Sequence, residues 1–358
     1  MRVHVWRRRP RALLVLALTV GAALFVVAPL SAAQQTLFKV TPLVSDQPGV
    51  APVTDPDLVN AWGLTSSATS PWWVSDNGTN KSTLYTGTGA KQGLVVTVAG
   101  APTGAVFNST ASGFQLPTGG KALFLFDTEN GLVRAWNGAQ GTTAIRVANR
   151  SDVDAIYKGL ALADTSAGPR LFAADFHNRR IDVFDTNFML VPNSGFEDPT
   201  LPKSLAPFNV QVIGNRVFVS YAKQDEDGED DVPGPGHGRV NVFDLSGNLL
   251  GGITTGAGQL NSPWGLAIAP ASFGTFAGDL LVGNFGDGFI NVYAETSANQ
   301  FTHVGKLRGA DNRPLQIDGL WALQFGQGGS NGPAGTLFFT AGPGGENHGL
   351  FGQINPTG

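Results

Sequence analysis

Four oxygen-bearing side chains recur at comparable places along the chain: Asp76, Asp127, Asp175 and Asn284 each close a short apolar run and precede a polar turn. Hard divalent cations such as calcium prefer carboxylate and amide oxygens, so these four form a candidate metal set if the fold gathers them. The same residues have a structural reading. Asp and Asn at the start of a tight turn accept hydrogen bonds from backbone amides two residues on. The residues that follow suit such turns: Asn77-Gly78, Glu129-Asn130-Gly131 and Gly286-Asp287-Gly288. Turn chemistry puts the structural reading first for any single one of these aspartates, and metal binding second.

His177 lies in one of these turns, and His348, with Glu346 close by, lies in another. An imidazole titrates near neutrality and can act as acid, base or metal ligand, so His177, His348 and Glu346 are candidate catalytic groups; a solvated turn histidine is the alternative. Trp62, Trp264, Trp321 and Phe208 sit at the start of apolar runs, while Tyr221 occupies a place held elsewhere by aspartate. Aromatic walls with a few convergent polar groups make a small-molecule site, suited to a sugar or an aromatic ligand. The competing reading is that these rings fill wedges in the core. Residues 224–238 form an insertion carrying Asp225, Asp227, Glu229, Asp230 and Asp231. It lacks the one-three-five spacing and distant Glu of an EF-hand, which leaves a weak calcium site or a solvated flap.

The elements that must position these residues repeat. A short strand, a turn-rich gap, a buried strand, a polar turn and a strand ending in a Val-Phe-like pair recur over 63–87, 121–138, 159–185, 209–244, 265–293 and 319–354. With 48 glycines, 22 prolines and only 14% charged residues, and almost no helical periodicity after the first 33 residues, the pattern is all-β. The repeats predict a six-bladed β-propeller with a four-stranded sheet in each blade. Outer-strand candidates follow at 94–100, 142–149, 248–256 and 301–309, but none follows the last repeat. The segment TLFKVTPLVS, 36–45, has no blade of its own and is expected to complete the last blade, closing the ring without an exposed edge.

LFAADFHNRRIDVFD, 171–185, resembles the NHL repeat: an apolar strand, an aspartate, a short turn, Arg-Ile and a second strand. LLVGNFGDGFINVY, 280–293, is similar, with Asn284 in place of the aspartate and Phe289 in place of the arginine. Together with NAWGL and SPWGL, the chain from residue 34 onward resembles an uncharacterised family of exported bacterial proteins, some carrying a C-terminal sorting tail; NPTG at the end of this chain is not such a tail. That resemblance implies an NHL-like propeller and export, and brings no established activity. The expected placement of Asp76, Asp127, Asp175 and Asn284 is also similar to the way gluconolactonase-like propellers hold a metal, although that family's sequence motifs are absent. This second likeness implies a metal-dependent lactonase or other hydrolase, with His177, His348 or Glu346 moving protons.

The start of the chain reads as a secretory signal, residues 1–33: arginines 2, 7, 8, 9 and 11, an apolar run, Pro29 and the small residues Ser31-Ala32-Ala33. Residues 34–358 are then a single propeller domain in the periplasm or outside the cell. Without the five leader arginines, 18 basic residues face 27 acidic ones, a net charge of −9 that disfavours nucleic acid or an anionic membrane as partner. The absence of cysteine excludes disulfides, thiolate metal sites and a cysteine nucleophile. No phosphate-binding loop, HExxH or GxSxG motif occurs. The expectation is a monomeric binding protein for a small molecule, a glycan or a protein partner, with the metal-dependent hydrolase as the alternative.

Overall fold

Short apolar runs broken by Gly, Asn and Asp become strands joined by tight turns. The computed structural model describes residues 1–3, 35–255 and 257–357, so the expected signal lies, beyond its first three residues, outside the described residues. The chain divides into Met1–Gln34 and Gln35–Gly358, and the second unit holds the β structure. Among the described residues helices are three-residue 3-10 turns, and none is long and apolar enough to cross a membrane.

The first strands are β1 (Phe38–Ser45) and the two-residue β2 (Val53–Thr54). Strands β3–β6 (Ala61–Thr65, Trp72–Asp76, Lys81–Tyr85, Lys91–Thr97) pair in chain order, as do β7–β10 (Pro102–Phe107, Phe124–Thr128, Leu132–Trp136, Ile145–Asn149). Strands β11–β13 (Tyr157–Thr165, Gly168–Asp175, Arg180–Phe184) make a three-stranded sheet. Two further meanders follow, β14–β17 (Leu205–Ile213, Arg216–Lys223, Gly238–Asp244, Leu249–Thr255) and β18–β21 (Pro263–Ile268, Leu280–Asn284, Ile290–Ser297, Gln300–Lys306). A parallel pairing of β17 with β21 joins them into one eight-stranded sheet. The last strands, β22–β24 (Leu320–Phe325, Leu337–Ala341, Leu350–Pro356), take β1 as an antiparallel neighbour of β24, and β2 adds to β1 in parallel.

Burial follows position in each sheet. Strands β3 and β4 are buried at every residue, whereas β6 and β10 are partly exposed, as expected when only the inner strands are covered on both faces. The first strands of the meanders pack on one another in a closed cycle: β3 on β7, then β11, β14, β18, β22, and back to β3.

Each strand of this cycle carries a register shift where it enters. The shifts lie between Ala61 and Leu64, Pro102 and Ala105, Tyr157 and Leu160, Pro207 and Asn209, Pro263 and Gly265, and Leu320 and Leu323. A bulge turns the extra side chain out of the sheet, here toward the middle of the cycle. The residues at these shifts are Trp62, Thr103, Lys158, Phe208, Trp264 and Trp321; the four rings meet one another, Lys158 reaches the Trp62 ring, and Thr103 bonds Asp127 and the Tyr157 carbonyl. Glycine follows several of them because the next strand is close: a Cβ on Gly63 would lie 2.4 Å from the Thr103 carbonyl oxygen, and one on Gly159 would lie 2.2 Å from Asn209 Oδ1.

Candidate functional site around Lys158

The four aromatic residues of the bulges plug the centre of the cycle. Trp62 stacks on Trp321 with centroids 3.6 Å apart, and Phe285 stacks on the other face of Trp321 at 3.9 Å. Trp264 and Phe208 meet the pair edge-on or tilted, at 5.8–6.4 Å. Trp62, Phe208, Trp264 and Trp321 are all buried, so they offer no aromatic wall to a ligand. The burial reading of these rings therefore prevails, with the rings at the centre of the cycle. Trp264 does border an internal void of about 20 Å³. Tyr221 lies away from the plug, in a separate groove of about 310 Å³ beside Arg179 and Pro207, with its hydroxyl buried.

Lys158 breaks the aromatic pattern. Its side chain is 2% exposed, and its ammonium lies 5.3 Å from the centroid of the Trp62 ring. It pairs with Glu129 Oε1 at 2.5 Å and with Asp230 Oδ1 at 3.1 Å. Burial alone would favour the neutral amine; Glu129 and Asp230 outweigh it and hold the pKa above the ordinary lysine value. Lys158 is thus a fixed positive charge rather than a base.

A polar network runs from the plug to this ammonium. Trp321 Nε1 donates to Asn60 Oδ1 at 3.1 Å, and Asn60 Nδ2 donates to Glu346 Oε2 at 2.6 Å and to Asn77 Oδ1 at 3.2 Å. Asn77 Nδ2 then donates to Glu129 Oε2 at 3.0 Å. Asn60 and Glu346 both hold left-handed backbone conformations, with φ of 49° and 67°. Above Lys158 a cleft of about 390 Å³ opens, lined by Glu129, Ile156, Lys158, Glu229, Asp230 and Glu346. Burial raises the pKa of Glu346, with Glu129 and Asp230 adding to the effect, and it pushes Asp231 up to about 6.

The acidic insertion is folded inward in part. Within it Gln224 pairs with Asp231, Asp225 N donates to the Asp230 carbonyl, and Asp225 Oδ1 accepts from Glu229 N at 2.9 Å. Asp230 thereby reaches Lys158, while Glu226 and Asp227 stay exposed.

Each candidate metal residue is already engaged by other groups of the chain. Asp76 accepts from Thr83 N at 2.8 Å and from Thr83 Oγ1, and Asp127 Oδ1 accepts from Gly104 N at 2.6 Å and from Thr103 Oγ1 at 2.9 Å. Asp175 accepts from Asn178 N and Nδ2 and pairs with Arg180 at 3.3 Å. Asn284 Nδ2 donates to the Gln259 carbonyl and to Asp287. Among the described residues no group of three or more His, Asp or Glu is placed to hold a metal ion.

The two histidines have separate surroundings. His348 Nδ1 lies 2.8 Å from Asp46, just past β1, whereas His177 lines a second lobe of the cleft, of about 310 Å³, with Glu129, Ile156, Glu229 and Asp154. His177 Nδ1 is buried without a partner. Sequence reasoning passed over Lys158 and Glu129 as site residues. The signal was the alignment of Tyr157-Lys158-Gly159-Leu160 with Ala61-Trp62-Gly63-Leu64 and Pro263-Trp264-Gly265-Leu266, which places a cation where two other repeats have tryptophan.

Among solved structures, the fold is similar to a structural genomics protein of unknown function from Bacteroides thetaiotaomicron, with a TM-score of 0.55 at 11% identity over 90% of this chain and 77% of that one. A catalytically inactive virginiamycin B lyase from Staphylococcus aureus with quinupristin gives a TM-score of 0.53 at 11% identity over 90% and 99% of the two chains. At such identities the likeness shows the fold alone, an all-β propeller. The chain matches no known family profile. In sequence it is 33% identical over 305 residues to uncharacterized protein L690 of Acanthamoeba polyphaga mimivirus, covering 80% of this chain and 78% of the viral one. It is 32% identical over 305 residues to uncharacterized protein R648 of the same virus, covering 80% and 74%. Both relatives are viral, where the resemblance read from sequence pointed to bacterial proteins. Identity at this level along most of each chain makes the protein a member of one family with L690 and R648.

Proposed function

We propose that the protein is an exported six-bladed propeller that binds a small polar ligand in the cleft above Lys158. The blade count reads the eight-stranded sheet as two blades touching along β17 and β21, and β11–β13 as a blade without its outer strand. The closed cycle of inner strands and the bulge in each of them support it, and β1 beside β24 supplies the outer strand of the last blade. Export, and with it a periplasmic or extracellular place, rests on the basic, apolar and small-residue order of residues 1–33.

One observation carries the binding reading: a buried, doubly paired ammonium forms the floor of an open cleft, at a position where four other repeats place an aromatic ring. Burying a charge costs several kcal/mol before its partners offset it, so a ring is the cheaper filler for a purely structural role. A concave cleft with convergent polar groups suits a small molecule or a short glycan better than the flat face of a protein partner. Thermal-shift and calorimetric screening of sugars, polyols, organic acids and amines tests this, repeated with Ile156→Arg, which fills the cleft from its apolar lining residue. Ligands should bind the parent and fail with the variant; a ligand that binds both equally places the site elsewhere.

The hydrolase reading draws support from Asp231 and Glu346, two carboxyls that hold protons more tightly than usual beside a fixed cation. Lactone and ester hydrolysis, measured before and after chelation, is its test. Activity lost in Glu346→Gln would favour it, and loss on chelation would restore a divalent cation to the scheme.

A further inference from the structure

We infer that the open outer edge of β13 docks the end of an extended peptide, paired antiparallel to the strand with its C-terminal carboxylate at Arg179. The site is the groove of about 310 Å³ beside Tyr221, and the inference does not depend on the cleft above Lys158. β13 is the last strand of its sheet. The residues that correspond to Ile181 elsewhere have an outer neighbour: Ser82 pairs with Val96, Val133 with Ala148 and Phe351 with Val44, and the Ile290 carbonyl accepts from Leu307 N at 3.0 Å.

A short piece of the same chain covers only the far half of this edge. Val191 N donates to the Val183 carbonyl at 2.8 Å and Asp185 N to the Met189 carbonyl at 2.9 Å, so the odd-numbered residues of β13 turn their backbone groups outward. Pro192 follows, has no N–H to extend the ladder, and the chain leaves the strand. The N–H and carbonyl of Ile181, next along the outward side, meet no backbone partner there among the described residues. A free edge of this kind takes an extended peptide by main-chain hydrogen bonds, with neighbouring pockets selecting its side chains. The fold already uses the arrangement once: β1, distant in sequence, completes the last sheet by docking on β24.

Direction and charge define the occupant. In the outer strands β6 and β10 the last residue lies opposite the first of the strand before it, Thr97 opposite Lys81 and Asn149 opposite Leu132. The same sense of pairing brings the C-terminal end of an incoming strand to Arg180 and Arg179, which line the groove. Arg180 is held by Asp175 and Asp182, whereas the exposed Arg179 forms no ion pair among the described residues and is free to take a carboxylate. Arg179 also holds a left-handed φ of 60° where the corresponding turn residues are Asn80, Gly131 and Gly288. Turn shape alone favours glycine or asparagine, so the arginine is explained by what its side chain binds. Ile181, Phe196, Leu201 and Pro207 in the same groove suit an apolar residue next to that carboxylate. Asp198 is engaged by Thr200 and Asn241, and the exposed Glu197 disfavours further acidic residues in the peptide.

Selection on the full chain from a randomised library of hexapeptides with free C-termini tests the assignment. Enriched peptides, resynthesised with a fluorophore, should bind in anisotropy titrations and lose about tenfold or more on amidation, the effect of removing one charge-assisted hydrogen bond. Arg179→Gly should weaken them by a similar factor while leaving the melting temperature unchanged or higher, since glycine fits the left-handed turn. Hydrogen exchange at the Ile181 amide should slow in the complex, and Ile156→Arg, in the cleft above Lys158, should change nothing. A library that yields no peptide bound better by the parent than by Arg179→Gly would overturn the proposal, as would peptides bound equally well as amides. Exchange slowed at Ile156 and Lys158 instead of Ile181 would overturn the location.

Discussion

The ammonium of Lys158 lies 5.3 Å from the centroid of the Trp62 ring, so the one cation of the inner bulges rests near the plug that the aromatic ones build. Trp264 Nε1 donates to the Lys158 carbonyl oxygen at 2.9 Å, which fixes the backbone of the same residue from a third strand. Position and charge of Lys158 are thus set by separate contacts.

Lys158→Met keeps the length of the stem and removes the charge. Breaking a buried pair costs about 3–5 kcal/mol when the remaining charge stays buried, but Glu129 and Asp230 both reach solvent, so the expected loss is nearer about 2 kcal/mol. Urea melts give the number. The acidic insertion should loosen in the same variant, read as faster proteolysis between 224 and 232, because Asp230 loses its anchor.

Asp127 carries a pH signature. Burial pushes its carboxyl up to about 7, and only Oδ1 is bonded, to Gly104 N and Thr103 Oγ1, leaving Oδ2 without a partner. The folded pKa lies above the unfolded one, so the folded state binds the proton more tightly. This stability is present at pH below about 4, declines as pH rises, and is lost above about 7; a three-unit shift bounds it at about 4 kcal/mol. Asp127→Asn mimics the protonated acid, keeps the acceptor for Gly104, and should gain on the parent as pH rises from 4 to 8. Asp127→Ala should instead lose about 1–3 kcal/mol near pH 5, the cost of stranding buried donors. Thermal melts of the three proteins across that range decide it.

Much of the register could be read in advance. Aligning the repeats on the ends of their second strands selects Asp76, Asp175, Tyr221, Asn284 and Ala341, and these pair with Ala61, Tyr157, Pro207, Pro263 and Leu320, each directly before a bulge. Asp127 is one place off, since Thr128 takes the pairing with Pro102. Apolar runs and turn residues are local signals, which is why this much was legible. The site was not, because its parts meet only through the closed cycle: Glu129 follows β8, Asp230 lies between β15 and β16, and Glu346 between β23 and β24. Nothing near Lys158 in sequence announces them. The setting of His348 was hidden for the same reason: it pairs with Asp46, just past β1 and far from it in sequence.

Trp321 joins the plug to the polar network, so its two functions can be separated. Trp321→Ala removes a ring stacked on both faces and should cost about 3–5 kcal/mol. Trp321→Phe keeps most of the stacking but frees Asn60 Oδ1, and should cost less than half as much. Because Asn60 also holds Glu346, the Phe variant is expected to weaken ligand binding in the cleft more than its melting temperature would suggest. Parallel melts and calorimetry test that divergence.

The pairing of β1 with β24 gives the last prediction. Residues 38–45 run antiparallel to Leu350–Pro356 with one bulge near Pro42, and Phe38 N also donates to the Arg308 carbonyl at 2.8 Å. Phe38 packs 4.7 Å from Phe273, and Leu43 and Val44 are buried as well. Deleting residues 35–45 uncovers these sites and leaves a row of unpaired backbone groups along β24. At about 1.5–3 kcal/mol for each large apolar side chain, the burial lost amounts to about 5 kcal/mol or more, a large share of the stability of a typical domain. The exposed edge is then a template for pairing with another copy of the chain. The truncated protein should therefore melt well below the parent and aggregate as concentration rises, read by light scattering. A synthetic peptide spanning 35–45, added in excess, should restore part of the lost stability, since the strand would dock from outside as it does in the intact chain. A truncated protein that stays monomeric and melts like the parent would mean that β1 is an accessory strand rather than part of the closure.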